Sequence, residues 1–120
     1  MSSLESPPTV TVAICLHNSS PYVEETLESV FAQTYGDYEV VLVDDGSTDG
    51  CVALVQSRFR DPRLRVVRSA HRGLGHARRL TLAHARGRLV AFLDHDDVWR
   101  PDKLERQVAE AGGGAGVRTP

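Results

Sequence analysis

The chain has 120 residues, of which 14 are Lys or Arg and 16 are Asp or Glu, so its formal net charge at pH 7 is −2. This length suits one domain with a single core, and a hydrophobic fraction of 41% with a charged fraction of 25% is ordinary for a globular protein. The negative charge disfavours nucleic-acid binding, and two cysteines are too few for a disulfide framework or a zinc site built on cysteines.

Residues 1–8 are predicted to be a disordered lead, because Pro7 and Pro8 oppose regular structure. The lead lacks the basic and apolar segments of a signal peptide. No stretch of the chain approaches the 18 apolar residues of a membrane span. We therefore expect a cytoplasmic location, and any membrane association would come through parts of the protein outside these residues.

The first strand and helix are predicted from the pattern of apolar residues. Val10–Leu16 is β-branched and apolar, which favours a strand. Ser20 is expected to cap a helix whose first residue is Pro21, where the missing N–H costs nothing. Apolar residues then recur at helical spacing through Phe31.

The second strand is predicted over residues 39–43, which are nearly all apolar and therefore buried on both faces. The polar residues 44–49 are expected to form a loop, followed by a helix that ends near Phe59. Residues 64–68 predict a third, more amphipathic strand at an edge of the sheet.

The last predicted elements are two helices with a strand between them. A helix is expected from Gly73 to about Arg86, with Gly87 ending it as a C′ glycine. Residues 89–93 predict the fourth strand, and the final helix is expected to run from about residue 101 to residue 111.

The alternation of strands and helices with short connections predicts an α/β fold with a mostly parallel sheet and helices on both faces. We expect one Rossmann-like domain over residues 9–111 and a flexible tail over residues 112–120. In such sheets ligands bind outside the carboxyl ends of the strands, near a switch in strand order. Polar clusters follow all four predicted strands: His17 and Asn18, Asp44 and Asp45, Arg72 and Gly73, and Asp94, Asp96 and Asp97.

Three carboxylates within four positions, at Asp94, Asp96 and Asp97, end the fourth predicted strand. Like charges this close are unfavourable unless a cation, a proton or a donor compensates them. Mg²⁺ and Mn²⁺ prefer hard oxygen ligands, often one or two carboxylates together with the phosphates of a substrate. The cluster therefore predicts a divalent metal site, and the alternative is an acidic turn that starts the next helix.

Several motifs resemble, in order and spacing, those of family 2 glycosyltransferases, which are nucleotide-sugar-dependent enzymes of the GT-A fold. The resemblance extends over about residues 9–110. The residues that carry it are 12–18, 29–35, 43–49, 77–78 and 87–97. Asp-Asp-Gly-Ser-Thr-Asp after a Val-rich strand, followed about 50 residues later by Leu-Asp-x-Asp-Asp, is a specific combination, and either motif alone would be a weaker signal.

The resemblance implies a nucleotide-binding role for Asp44 and Asp45. Asp45 is the better match to the acid that accepts a hydrogen bond from uracil N3–H, and an ionised carboxylate is acceptor-only. The alternative is that Asp45, Ser47 or Thr48 only caps the second helix.

Residues after the first strand are implied in the same nucleotide site. Cys15-Leu16-His17-Asn18 stands where the family usually has Pro-Thr-Tyr-Asn, so Cys15, His17 and Asn18 are candidate contacts. His17 replaces an aromatic that stacks on the base, and an imidazole can stack as well. Cys15, from its place in an apolar run, is also expected to be a small buried hydrophobe.

The resemblance also assigns the acidic cluster to an Asp-x-Asp metal motif for Mg²⁺ or Mn²⁺. Asp96 is the expected ligand that bridges the cation to the diphosphate, with Asp94 facing the ribose or the cation through water and Asp97 as an alternate ligand. His95 is not expected to be a ligand, since neighbouring side chains on an extended segment point to opposite sides.

Arg78 matches the family's Ala-Arg and is a candidate phosphate ligand through its guanidinium fork. Arg79 and Thr81 depart from the family, which usually has Asn and Gly at these positions. The histidines His71, His76 and His84 have no partner in the sequence and are predicted to be surface residues.

The implied function is transfer of a sugar from a nucleoside diphosphate donor, expected to be a UDP-sugar, to an unknown glycan, lipid or protein acceptor with inversion. The family's general base lies well beyond the metal motif, and we identify no such base before Pro120, so the chain resembles a truncated donor-binding half. The alternatives are an inactive binding or interaction module, or a sugar nucleotidyltransferase. The last would need a Gly-rich, basic triphosphate loop after the first strand, where the sequence reads His17-Asn18-Ser19-Ser20.

Overall fold

A computed structural model describes residues 7–112 and shows strands and helices in strict alternation through this part of the chain. The strands are β1 (Val10–Leu16), β2 (Tyr38–Asp45), β3 (Leu64–Ser69) and β4 (Leu89–Asp94). The helices are α1 (Ser20–Phe31), α2 (Cys51–Arg58), α3 (Leu74–His84) and α4 (Lys103–Gly112). Residues 1–6 of the predicted lead, and the predicted tail beyond Gly112, lie outside the described residues.

The four strands form one parallel sheet in the order β3-β2-β1-β4. This confirms the predicted α/β class, and β3 lies at an edge as its amphipathic pattern predicted. The chain adds β2 and β3 on one side of β1 and then returns to place β4 on the other side. On one face of the sheet α3 contacts β1 and β2, and a crevice lies beside it at the carboxyl ends of β1 and β4.

Helices cover both faces of the sheet, as predicted. One face packs against α1, α2 and α4 in a core that includes Val12, Ile14 and Leu42, all with no exposed surface. The other face packs against α3 through Val41 and Val43 of β2. Because both faces of β2 are buried, its sequence is almost continuously apolar rather than alternating.

Two predicted boundaries near the ligand-binding end of the sheet are wrong. Asp44 and Asp45 belong to β2 rather than to a loop, because Asp44 pairs with Leu16 of β1 and Asp45 pairs with Ser69 of β3. Ser20 does not cap α1 but is its first residue, and its hydroxyl donates to the carbonyl of Asp49.

The predicted role of Gly87 as the residue that ends α3 is also wrong. The helix α3 ends at His84, and the glycines with positive φ in the described chain are Gly46, Gly50 and Gly73. The backbone of Gly87 instead lies against β1, where an added Cβ would come within 2.6 Å of the Thr11 amide nitrogen. A glycine is needed here because two backbones approach closely.

Glu39 forms a buried polar junction between neighbouring parts of the sheet. Its carboxylate accepts hydrogen bonds from the Thr11 hydroxyl at 2.6 Å, from the Arg86 amide at 2.6 Å and from the Arg65 guanidinium at 3.0 Å. Burial favours the neutral acid and would raise the pKa of Glu39. The hydrogen bonds from Thr11 and Arg86 and the charge of Arg65 outweigh burial, so the pKa lies below its ordinary value of 4.5.

This junction should make stability depend on pH. Because the folded pKa of Glu39 is lowered, its stabilisation is complete above pH 4.5 and is lost as the pH falls through the folded pKa. Glu39→Gln should lower the free energy of unfolding by about 1–3 kcal/mol at neutral pH, and the difference from wild type should shrink in acid. Urea unfolding at pH 7 and pH 3 measures both effects. The exposed Glu25 on α1 provides the control Glu25→Gln, and an equal deficit for Glu39→Gln at both pH values would contradict the assignment.

Candidate functional site

A cavity of about 510 Å³ lies at the carboxyl ends of β1, β2 and β4, on the face of the sheet that α3 covers. Cys15 and Phe92 contribute to its floor, and Leu74, Ala77 and Arg78 of α3 form a wall. Polar side chains line it at two places, which are His17, Asp45 and His71 at one and Asp94, His95 and Asp96 at the other.

Six of the predicted site residues line this cavity. They are Cys15, His17, Asp45, Arg78, Asp94 and Asp96. Asn18 lies just outside it and joins two connections, because its amide donates to the Ser47 hydroxyl at 2.9 Å and its side-chain oxygen accepts from the Thr48 amide at 2.8 Å. It holds this position with a positive φ of 50°, which asparagine tolerates better than most residues.

Asp44 and Asp45 point to opposite faces of the sheet, because they are adjacent residues of one strand. Asp44 lies away from the cavity, and its carboxylate accepts a hydrogen bond from the Ser47 amide at 3.3 Å. The carboxylate of Asp45 reaches the cavity instead. It accepts hydrogen bonds from the amides of Arg72 at 2.8 Å and Gly73 at 3.1 Å, in the connection that precedes α3.

The carboxylate of Asp45 is buried yet held in its ionised form. Burial would raise the pKa of Asp45, but the two amide hydrogen bonds and the neighbouring His71 lower it below the ordinary value. The alternative that Asp45 caps α2 is excluded by the geometry. Gly50 precedes α2, and the amide of Cys51 donates to the Asp49 carboxylate at 3.1 Å.

His71 belongs to the site, although the sequence predicted only a surface residue. Its ring stacks on that of His17 with centroids 4.3 Å apart, and its Nδ1 lies 3.0 Å from a carboxylate oxygen of Asp45. Gly46 makes room for this arrangement, because a Cβ there would lie 2.7 Å from the His71 amide nitrogen. His71 follows β3, and the pairing of β3 with β2 places it beside Asp45. The sequence around His71 contains no signal that predicts this pairing.

The acidic segment Asp94–Asp97 begins at the last residue of β4. His95 within it holds the segment to α1 and to Ser19, which precedes α1. The Nδ1 of His95 lies 2.8 Å from the hydroxyl of the buried Ser19, and the carbonyl of His95 accepts from the Thr26 hydroxyl at 3.0 Å. The side chains of Asp94 and Asp96 are exposed and open to the cavity. The Asp97 carboxylate lies outside the cavity lining and accepts a hydrogen bond from the Val98 amide at 2.9 Å.

Arg78 brings a positive charge to the cavity from α3. Its guanidinium lies 5.9 Å from the centre of the Phe92 ring. Burial raises the pKa of the half-buried Cys15 thiol, and the charge of Arg78 offsets this only in part. Thr81, which departs from the family pattern, is fully buried one turn later, where its hydroxyl donates to the Arg78 carbonyl at 2.6 Å.

Comparison with known proteins shows which family the chain belongs to. Residues 11–117 match the sequence profile described as Glycosyl transferase family 2. The chain belongs to glycosyl transferase family 2. Among its relatives, the glycosyltransferase TuaG of Bacillus subtilis strain 168, named for teichuronic acid biosynthesis, is 42% identical over 103 residues. These residues make up 84% of this chain and 41% of TuaG.

Solved structures of GT-A glycosyltransferases share the fold. S. aureus TarS in complex with UDP has a TM-score of 0.82 and 30% identity over 88% of this chain and 32% of that one. TarS is also known in complex with UDP-GlcNAc. The mannosyltransferase PcManGT from Pyrobaculum calidifontis, in complex with GDP-Man and Mn²⁺, has a TM-score of 0.80 and 35% identity over 88% of this chain and 32% of that one.

These comparisons confirm the predicted family and fold. The chain spans between about a third and two fifths of the lengths of TuaG and of the matched TarS and PcManGT chains. Within residues 7–112, no helix combines the length and the apolar character that crossing a membrane requires.

The contacts of Asp45 predict which backbone amides it protects. Asp45→Ala removes the acceptor of the Arg72 and Gly73 amides, so both should exchange with solvent at least about tenfold faster, as expected when a hydrogen bond worth about 1.4 kcal/mol is lost. Amide hydrogen exchange followed by NMR measures this. The matched variant Asp44→Ala should speed exchange at Ser47 instead. Unchanged exchange at Arg72 and Gly73 in Asp45→Ala would contradict the arrangement.

Proposed function

We propose that the chain is the donor-binding part of an enzyme that transfers a sugar from a nucleoside diphosphate sugar, with a UDP-sugar as the donor. The observation that carries the proposal is the placement of acids from two strand ends along one cavity. Asp45 is the last residue of β2, Asp94 is the last residue of β4 and Asp96 follows two residues later, and all three line the cavity. The complexes of TarS with UDP and of PcManGT with GDP-Man support a nucleotide ligand of this class.

In this proposal the base binds beside Asp45. An ionised, buried carboxylate accepts a hydrogen bond from uracil N3–H and cannot donate to the base. Its lowered pKa keeps Asp45 in the accepting form near neutral pH. One face of the His17 ring stacks on His71, and its other face is the proposed stacking surface for the base.

The diphosphate is proposed to lie between Arg78 and the acidic segment. A guanidinium binds phosphate oxygens through paired hydrogen bonds. Asp94 and Asp96 provide hard carboxylate oxygens, which fit Mg²⁺ or Mn²⁺, so they are the proposed metal ligands, and Asp97 is the proposed alternate. When bound, the cation supplies Lewis-acid stabilisation of the charge on the departing nucleoside diphosphate.

The chain's own residues then act by binding and orienting the donor. His95 keeps the acidic segment against α1 through Ser19, which fixes Asp94 and Asp96 relative to β1. Asp45 keeps the connection before α3 against β2, which fixes the start of the helix that carries Arg78. We propose inversion at the sugar and a cytoplasmic location, with the acceptor bound by parts of the protein beyond these residues.

Calorimetry with UDP and Mn²⁺ tests the donor site. The 120-residue chain should bind UDP, and binding should weaken at least tenfold in Asp45→Ala and in Asp96→Ala, since each loses a charge-assisted contact worth about 1.5–3 kcal/mol. UDP affinity should depend on Mn²⁺ in wild type and lose this dependence in Asp96→Ala.

Asp102→Ala is the matched control, because Asp102 lies outside the cavity and near the exposed Arg100 and Arg106. Its UDP affinity should equal that of wild type. Absence of UDP binding by the wild-type chain, or equal affinity in Asp45→Ala, Asp96→Ala and Asp102→Ala, would rule the proposal out. UDP binding without donor hydrolysis or transfer would fit a binding module, and hydrolysis of the donor by the chain itself would exclude that alternative.

A further inference from the structure

Three potential metal ligands meet at one corner of the cavity, away from the acidic segment after β4. His17, Asp45 and His71 each offer one ligand atom, and these atoms all lie within 4.8 Å of one another. They come from three separate parts of the chain, namely the connection after β1, the last residue of β2 and the connection after β3. Within residues 7–112, no other group of three His, Cys, Asp or Glu side chains brings its ligand atoms this close together.

The surroundings of the group resemble the support that metal ligands require. The Asp45 carboxylate is oriented by the amides of Arg72 and Gly73. The Nδ1 of His17 lies 2.9 Å from the Asp45 carbonyl oxygen. When Nδ1 donates to that carbonyl, Nε2 carries the lone pair, and its 3.5 Å contact with the Asn18 side-chain nitrogen is the one that a metal would replace. Histidine ligands in metal sites usually donate their other N–H to a carbonyl or a carboxylate in this way.

The ligands can close to the spacing that zinc needs. Zinc bonds to nitrogen and oxygen of about 2.0–2.1 Å place tetrahedral ligand atoms about 3.4 Å apart. In closing from 4.8 Å, the His71 ring would exchange its stack on His17 and its hydrogen bond to Asp45 for a bond to zinc, and the 62% exposure of its side chain leaves room for this turn. Asp45, with 7% exposure of its side chain, stays fixed and sets the position of the site.

We propose that His17, Asp45 and His71 form a zinc site, distinct from the Mg²⁺ or Mn²⁺ site assigned to Asp94 and Asp96. Two imidazoles and one carboxylate are a borderline donor set that favours Zn²⁺ over the hard cations, and three protein ligands leave a fourth position for water. On the proposed function, zinc here would occupy the carboxylate that accepts from the base, so zinc and the nucleotide would compete.

Zinc titration without nucleotide tests the site independently of the donor proposal. The 120-residue chain, titrated with Zn²⁺ against a chromophoric chelator, should bind one equivalent tightly. His71→Asn and His17→Asn should each weaken that binding at least tenfold. His76→Asn, which changes a histidine of α3 outside the cavity lining, and Asp96→Asn should retain wild-type zinc affinity.

Circular dichroism establishes whether each variant is folded. If one histidine variant does not fold, the other one still tests the site. Co²⁺ in place of zinc should give the visible absorption of a four-coordinate site in wild type and lose it in His17→Asn. Three results would each overturn the proposal. They are no tight zinc binding by wild type, wild-type affinity in both histidine variants, and loss of the tight equivalent in Asp96→Asn.

Discussion

The return of the chain across β1, from β3 at one edge to β4 at the other, is the constraint on which the site depends. Parallel strands place all their carboxyl ends at one edge of the sheet. The strand order switches at β1, so β4 lies beside β1 on the side away from β2, and the cavity lies beside α3 at the carboxyl ends of these three strands. Without this switch, Asp94 and Asp96 would not share a cavity with Asp45.

Within this frame, Asp45 carries a structural and a proposed chemical role at once. Its carboxylate ends β2 and accepts the amides of Arg72 and Gly73, so it fastens the connection that leads into α3. The same hydrogen bonds keep the carboxylate ionised despite its burial. A carboxylate that is both fixed and charged needs little reorganisation when it binds a metal ion or accepts a hydrogen bond from a ligand. Asp44, one residue earlier, has neither role in the cavity because the strand turns it to the other face.

Much of the fold and part of the site could be predicted from the sequence because the signals are local. Apolar runs with flanking polar residues located every strand, and the spacing of Asp45, Arg78, Asp94 and Asp96 matched the family. The separation of Asp44 from Asp45 follows from the two-residue period of a strand. The sequence did not predict this separation, because the polar character of Asp44 and Asp45 favoured a loop after the second strand.

The remaining features depend on contacts between distant residues. His71 reaches Asp45 only because β3 pairs with β2. The order of strands in a sheet cannot be predicted from the residues of one segment alone. Gly87 shows a different limit. A glycine that ends a helix and a glycine that allows two backbones to touch look alike in a sequence, and only its contact with Thr11 separates them.

We propose one cavity that binds the base at Asp45 and the metal-bound diphosphate at Asp94 and Asp96. A crystal structure of the chain with UDP and Mn²⁺, with the manganese located by its anomalous scattering, measures both ends together. We expect a manganese peak within bonding distance of the Asp96 carboxylate and uracil N3 within hydrogen-bond distance of Asp45. A manganese peak on other side chains, or a uracil outside the reach of Asp45, would contradict it.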